Sequence, residues 1–253
     1  MSRPLLQLEG HLGELRNRII TYLVVFLPVA VWFFFHATGL TQFLLLATGG
    51  RIKELIFISP SELFFTYIQA SLVAALIVTS PLLIYEVAAF VWPGLTREER
   101  HLVISYAPAA LFLLWAGAAF AFFVFAPVVF RFLLSFTGPV VHPMITYSSY
   151  VDFIIGLMLP LAIVFEFPLV VMALTRLGLI SAHWLRQKRR MAIFIIFVLA
   201  AAFAPPDLMS MLVLASPMLV LYEVGVWLSA LAERQRRRNE PPEDSDEEPP
   251  AEE

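Results

Sequence analysis

The sequence predicts an all-α integral membrane protein with six transmembrane helices, helices five and six short, and both termini cytoplasmic. Three observations lead there. The chain is 60% hydrophobic and 15% charged, with a mean hydropathy of +0.81, the composition of a protein whose solvent is lipid. Six apolar runs can be laid against the roughly 20 residues an α-helix needs to cross a bilayer. Of 17 Lys and Arg, 14 fall in segments that these runs place on one side, the pattern of a cytoplasmic face.

The first run covers residues 19–35, after a charged amphipathic segment; it lacks a small-residue cleavage motif and reads as a span rather than a signal peptide. The second covers 63–92, the third 102–132 and the fourth 150–174. A tight pair follows, 191–203 and 208–231, hinged at Pro205, Pro206 and Asp207. At 13 residues the fifth run extends only about 20 Å, short for a bilayer unless the membrane thins or the helix sits recessed in the bundle.

The basic residues assign the sides. Arg3, Arg16 and Arg18 precede the first run; Arg97 and Arg100 lie between the second and third; Arg176, Arg186, Lys188, Arg189 and Arg190 lie between the fourth and fifth; Arg234, Arg236, Arg237 and Arg238 follow the sixth. The opposite side holds only Arg51, Lys53 and Arg131. The external segment 37–60 is too long for a tight turn, and TQFLLLATGG and IKELIFISP read as short interfacial pieces that cap the bundle. Residues 239–253 carry eight acids and no base, with almost nothing apolar, and are expected to form a disordered cytoplasmic tail beyond a 1–238 membrane domain. Without that tail the net charge of −3 becomes +5, 17 basic residues against 12 acidic.

Several chemistries are excluded. There is no cysteine for a disulfide or thiolate site, and the five histidines are scattered, with no HExxH, no GxSxG and no phosphate-binding glycine loop. The expectation is a protein that is not an enzyme, with no cofactor, no metal and no nucleic-acid partner. No internal repeat of the kind transporters carry stands out.

The acids within or beside the runs carry the remaining information. Glu14, in HLGELRNRII, stands one turn before Arg18, and an i,i+4 pair there contributes only about 0.2–0.5 kcal/mol. Glu99, in PGLTREER, follows Thr96 at the spacing of a capping box, a role compatible with further hydrogen bonds to a ligand. Glu166 is harder to explain structurally. Inside LAIVFEFPLVV a charged side chain costs about 2.5–3.5 kcal/mol and usually faces the bundle interior or a wet cavity; a protonated or hydrogen-bonded Glu is the bland alternative. Pro160 and Pro168 flank it and should bend the helix at both places. Asp207 fits an N-cap of the sixth helix, and Glu86 and Glu223 fit structural roles near helix ends.

Together, HLGELRNRII, the long SPSELFF…VWPGLTREER stretch, FEFP and APPD resemble the TatC family, the multispanning receptor subunit of the twin-arginine protein translocase. The resemblance spans nearly the whole chain before the tail. It implies a glove-like, concave bundle that binds the twin-arginine signal peptides of folded cargo and recruits single-span TatA and TatB partners. It further implies an oligomeric receptor complex in a prokaryotic cytoplasmic (inner) membrane, with transport driven by the proton-motive force. By the same resemblance Glu14, Glu99, Arg16, Arg18, Phe90, Pro93 and Arg100 would serve signal-peptide binding. Glu166 and Asp207 would form an intramembrane polar or partner site, with Glu166 on the concave side. Two departures touch that site: Ala204 stands where a Thr is common, and Met211 where a Gln is common, which puts polar docking of partners there in doubt. A proline common in the first external loop is also missing between Thr41 and Phe57. The competing function class is a proton-coupled small-solute permease that uses Glu166, with Arg131 or Asp152 accessory.

Overall fold

The computed structural model describes the backbone of residues 3–50, 52, 54–94, 97–136, 144–204 and 207–239, and the side chains of these apart from 3–11, 97–99, 101–102 and 235–239. Of the expected tail, 239–253, Asn239 is the last residue of the final helix and residues 240–253 lie outside the described ones, as do the Thr96 cap and Pro205 and Pro206 of the hairpin. Every regular element among the described residues is helical: α1 (Arg3–Phe35), α2 (Ala37–Leu45), α3 (Pro60–Val78), α4 (Ser80–Val91), α5 (Arg97–Phe120), α6 (Ala126–Leu133), α7 (Tyr147–Phe165), α8 (Phe167–Arg176), α9 (Ala182–Gln187), α10 (Arg189–Phe203) and α11 (Leu208–Asn239).

Among the described residues, five helical stretches are long and apolar enough to cross a membrane: Leu12–Phe35, Pro60–Val78, Val103–Phe136, Tyr147–Arg176 and Leu208–Arg234. They correspond to the first four expected runs and the sixth. The fifth run is α10, whose 15 residues reach about 22 Å, short as expected. The sixth is not short. α11 continues for 32 residues because Ala232, Glu233, Arg234 and Gln235 are good helix formers with no Gly or Pro among them, so nothing stops the helix where the apolar run ends.

Prolines divide the long runs into segments. The second run breaks at Thr79, two residues before Pro81, where the missing N–H and the ring clash stop a regular helix. Side chains supply the lost hydrogen bonds. The Thr79 hydroxyl donates to the Ala75 carbonyl at 2.7 Å and meets the Tyr22 hydroxyl of α1 at 2.9 Å. The Ser80 hydroxyl donates to the Ile77 carbonyl at 2.7 Å and accepts from Trp115 Nε1 of α5 at 2.8 Å. In the third run a π-helical turn, Ala121–Phe125, absorbs the approach to Pro127 between α5 and α6. The fourth run passes through Pro160 without interruption and breaks instead at Glu166, two residues before Pro168.

The core lies between α5, α6 and α7, where Phe125, Val129, Tyr150, Val151, Ile154 and Leu161 are buried. α5 and α7 approach so closely at Gly117 that a Cβ there would sit 2.9 Å from the Ala162 Cα and 2.9 Å from the Phe165 Cβ. α8 packs along α11, and α10 packs on α11. By contrast, α1 exposes Val24, Leu27, Val31 and Trp32, as a helix facing lipid does.

One end of the bundle carries a cap. α2 and a 3₁₀ turn, Leu46–Thr48, close at Gly49 and Gly50, whose φ of 61° and 76° suit glycine. The expected second interfacial piece is irregular rather than helical, because its backbone pairs with another loop: Ile56 N donates to Ile145 O at 3.1 Å and Tyr147 N to Ile56 O at 2.8 Å. Side chains reinforce the closure. The Tyr150 hydroxyl donates to the Leu44 carbonyl, the Thr41 and Tyr147 hydroxyls lie 2.9 Å apart, and the Glu62 carboxylate accepts from Ile58 N and the Ser148 hydroxyl. Gln69 Nε2 donates to Asp152 Oδ1 at 2.8 Å, giving Asp152 a partner on α3.

Candidate functional site

The opposite end is open. There α1, α4 and α5 border a cleft of about 730 Å³ whose walls include Ile84, Ala88, Val103, Ile104, Ala107 and Leu111. Glu14 and Arg18 of α1, and Trp92 and Pro93 after α4, line the same cleft. It is an apolar groove with charge at one position, the form of a site that takes a largely apolar ligand and fixes it with a few polar groups.

The helix repeat builds the charged position. Glu14 and Arg18, four residues apart, stand on one face of α1, and Arg18 Nη2 reaches Glu14 Oε1 at 3.2 Å. The i,i+4 pair anticipated from spacing is therefore present. Arg18 also reaches across to α4, with Nη1 3.2 Å from Glu86 Oε2. Glu86 is 8% exposed, deeper than a helix-end acid in contact with interfacial water. A buried carboxylate requires a cation or several donors, so its depth was the signal that it had a partner; sequence alone showed neither the depth nor which cation.

The other expected binding residues scatter around this mouth. Arg16 is exposed on the opposite side of α1 from the pair, Phe90 is half-buried on α4, and the Arg100 guanidinium lies 5.5 Å from the centre of the Trp92 ring, a cation–π contact beside the cleft. Glu99 falls in the first turn of α5, one turn before Val103, which lines the cleft; its side chain is outside the described residues. Further along this end Arg189 of α10 pairs with Glu223 of α11 at 2.8 Å, and Arg176 lies over the Tyr106 ring at 5.4 Å.

The second group of expected residues does not join the cleft. Glu166 sits at the break between α7 and α8, with its carboxylate against the Leu114 backbone of α5 and Oε1 buried without a hydrogen-bond partner among the described residues. Asp207 caps α11, Oδ1 accepting from Ser210 N at 2.7 Å, while its Oδ2 and the Ser210 hydroxyl are buried and unpartnered among the described residues. Ala204 and Met211 are half-buried and pack against the core, so neither brings a polar atom to the hairpin. A second large groove, also about 730 Å³, opens beneath the cap between apolar walls that include Trp32, Phe43, Trp115, Phe122 and Met158; Glu166 lines neither groove. No group of three or more His, Cys, Asp or Glu able to hold a metal occurs among the described residues.

Comparisons with known proteins give the family. The family model for the Sec-independent protein translocase protein (TatC) matches residues 10–217. The TatC protein of Carboxydothermus hydrogenoformans is 34% identical over 229 residues, covering 90% of this chain and 94% of that one. TatCd of Bacillus subtilis is 35% identical over 240 residues, 95% of this chain and 98% of that one. Among solved structures, a crystal structure of the twin-arginine translocase receptor TatC superposes with a TM-score of 0.74 at 33% identity, covering 88% of this chain and 99% of that one. A crystal structure of a twin-arginine translocase receptor TatC in DDM gives a TM-score of 0.76 at 32% identity, covering 87% of this chain and 99% of that one. A family match over most of the length, relatives this similar and five apolar spans lead to one assignment: the chain belongs to the TatC family, multi-pass membrane components of a Sec-independent protein translocase.

Proposed function

We propose that this chain is the receptor subunit of the twin-arginine export system, binding the twin-arginine signal peptides of folded cargo at the open cleft. One observation carries the reading: an apolar groove has an acid, Glu14, at its mouth, and the helix that supplies its wall through Val103 and Ala107 begins with Glu99 one turn earlier. Signal-peptide arginines suit such acids because a guanidinium meets a carboxylate through planar paired hydrogen bonds, whereas lysine offers a point charge. Apolar residues following the arginines would lie along Ile84, Ala88 and Leu111. The orientation that fits is cytoplasmic for the open end and both termini, in a prokaryotic inner membrane, with α10 and α11 completing six crossings. Crosslinking a photoreactive Arg-Arg signal peptide to the detergent-solubilised protein tests this directly. Adducts on α1, α4 and α5 support it, and adducts confined to the cap end defeat it.

Glu166, and Asp207 with Ala204 and Met211 at the hairpin, are assigned to a later step, docking of single-span TatA or TatB partners for transport driven by the proton-motive force. Supporting this, both acids retain a buried oxygen with no donor among the described residues, which a partner's polar side chain could satisfy. Glu166→Ala is expected to keep signal-peptide affinity within about twofold of the unmodified protein while reducing co-purification of TatA or TatB. Equal loss of peptide binding would place Glu166 in recognition and remove this division of labour.

A further inference from the structure

We propose that Glu86 is a positioning residue of the acid site: its buried carboxylate supplies Arg18 with a second counter-charge, so that the Glu14–Arg18–Glu86 cluster keeps a net charge of −1 with Glu14 facing the cleft. The inference rests on the receptor reading given above. Its basis is a count of charges within one set of contacts. Arg18 stands between two carboxylates, 3.2 Å from Glu14 and 3.2 Å from Glu86. Two negative charges and one positive leave a net charge of −1. Without Glu86 the same place would hold a neutral Glu14–Arg18 pair, to which an incoming guanidinium would bind only by displacing the resident one.

Burial decides which carboxylate serves which cation. The Glu86 side chain is 9% exposed and lies outside the cleft lining, whereas Glu14 is 32% and Arg18 29% exposed and both line it. A ligand entering the cleft meets Glu14, and Arg18 at its side, with Glu86 behind them. The two contacts of Arg18 are equal in length, so position and not strength separates the acids: Glu14 faces the cleft, and Glu86, buried behind, supplies a second negative charge that stays when a ligand competes for Glu14. A merely architectural Glu86 would join α1 to α4, but the Tyr22–Thr79 hydrogen bond already links α1 to the start of α4 without charge. A buried carboxylate is a costly way to duplicate that link. As the site's counter-charge it has a use that a neutral group could not fill.

The test measures affinity of the full-length, detergent-solubilised chain for a fluorescent Arg-Arg signal peptide at low and moderate salt. Glu86→Gln keeps the shape and one acceptor but removes the charge. It is expected to weaken binding by about tenfold at low salt and to flatten the salt dependence. Glu86→Asp, which retains the charge, should stay within about threefold of the unmodified chain. The deciding variant is Arg18→Gln combined with Glu86→Gln, which restores a net −1 on Glu14 alone. Because Arg18 acts here as counter-ion of the two acids and not as a contact of the peptide, in contrast to the role the resemblance implies for it, this variant should regain most of the lost affinity. A purely structural role predicts the reverse, with the double variant as weak as Glu86→Gln or weaker, and that result overturns the proposal. Because the double variant removes both charges of the buried pair together, it leaves no buried charge unpaired even if Glu86→Gln alone does not fold; a double variant more than tenfold weaker than the unmodified chain would likewise overturn it. Glu14→Gln separates the two levels of inference. If it leaves Arg-Arg affinity unchanged, the receptor reading fails at this site and the Glu86 role fails with it; if it abolishes binding while Glu86→Gln does nothing, only the Glu86 role fails.

Discussion

The cap and the cleft mouth at the other end of this bundle are held by different forces. At the cap end, loops that are far apart in sequence are tied by backbone pairing at Ile56 and Tyr147 and by hydroxyls and carboxylates that reach backbone or neighbouring side chains, as at Tyr150 and Leu44 or Glu62 and Ile58. At the cleft mouth of the open end the ties are ion pairs and a cation–π contact, Arg18 with Glu14 and Glu86 and Arg100 over Trp92. Beyond it the exposed Arg189–Glu223 pair is accompanied by buried hydrogen bonds of the Tyr222 hydroxyl to the Leu185 carbonyl and between the Thr175 and Ser229 hydroxyls. Hydrogen bonds to buried backbone groups fix geometry, because leaving one unmade costs the full desolvation of the orphaned group. Partly exposed ion pairs contribute little to stability and exchange partners readily. The cap is therefore built to stay closed, and the cleft mouth to accept a competing charge.

That contrast predicts a ranking of mutational effects. The largest belongs to neither end but to the packing that joins them. Gly117→Ala places a Cβ 2.9 Å from the Ala162 backbone, which cannot step aside as a flexible side chain would, and should cost at least about 1–3 kcal/mol. A thermal melt in detergent at a temperature like that of the unmodified protein would show that α5 and α7 separate freely. Next is Tyr150→Phe at the cap. It removes the hydroxyl that donates to the Leu44 carbonyl, which keeps the Leu46 N–H, and should cost about 0.5–1.5 kcal/mol, again read as a lowered melting temperature, with signal-peptide affinity unchanged. The smallest effect is at the open end, where Arg189→Ala breaks a pair whose side chains are 47% and 52% exposed and should change stability by less than about 1 kcal/mol. If the melting temperature falls more for Arg189→Ala than for Tyr150→Phe, the contrast between the ends is wrong.

Much of this architecture was legible in the sequence because lipid imposes a simple rule: a crossing helix must be apolar for most of its length. The runs at 19–35, 63–92, 102–132 and 150–174 all contain or overlap spans of the structure, and the 191–203 run is a short helix as its length required. The length of α11 was misjudged because hydropathy marks where an apolar surface ends, while helix propensity decides where the helix ends. The break at Thr79 was missed for a different reason. Pro81 signals a disturbance, but its position and the hydroxyls of Thr79 and Ser80 that repair it depend on Tyr22 and Trp115, neighbours that only the tertiary arrangement provides. The same limit applied at the candidate site. Spacing gave the Glu14–Arg18 pair because both residues share one helix, but Glu86 is 68 residues from Arg18 in the chain, and no periodicity reports such a contact.

The central claim, that acids at the open end read arginine as arginine, is tested most directly by replacing Glu14 and Glu99 together with Gln and measuring affinity for an Arg-Arg signal peptide and a Lys-Lys control. Each guanidinium–carboxylate contact should contribute about 1.5–3 kcal/mol where partly desolvated. The account predicts that the double variant, still folded by its helical content and melting temperature, loses far more affinity for the Arg-Arg peptide than for the Lys-Lys peptide, so that the preference between them collapses. A folded double variant that still prefers arginine as strongly as the unmodified protein would contradict it and leave Glu14 with no role beyond its pairing with Arg18.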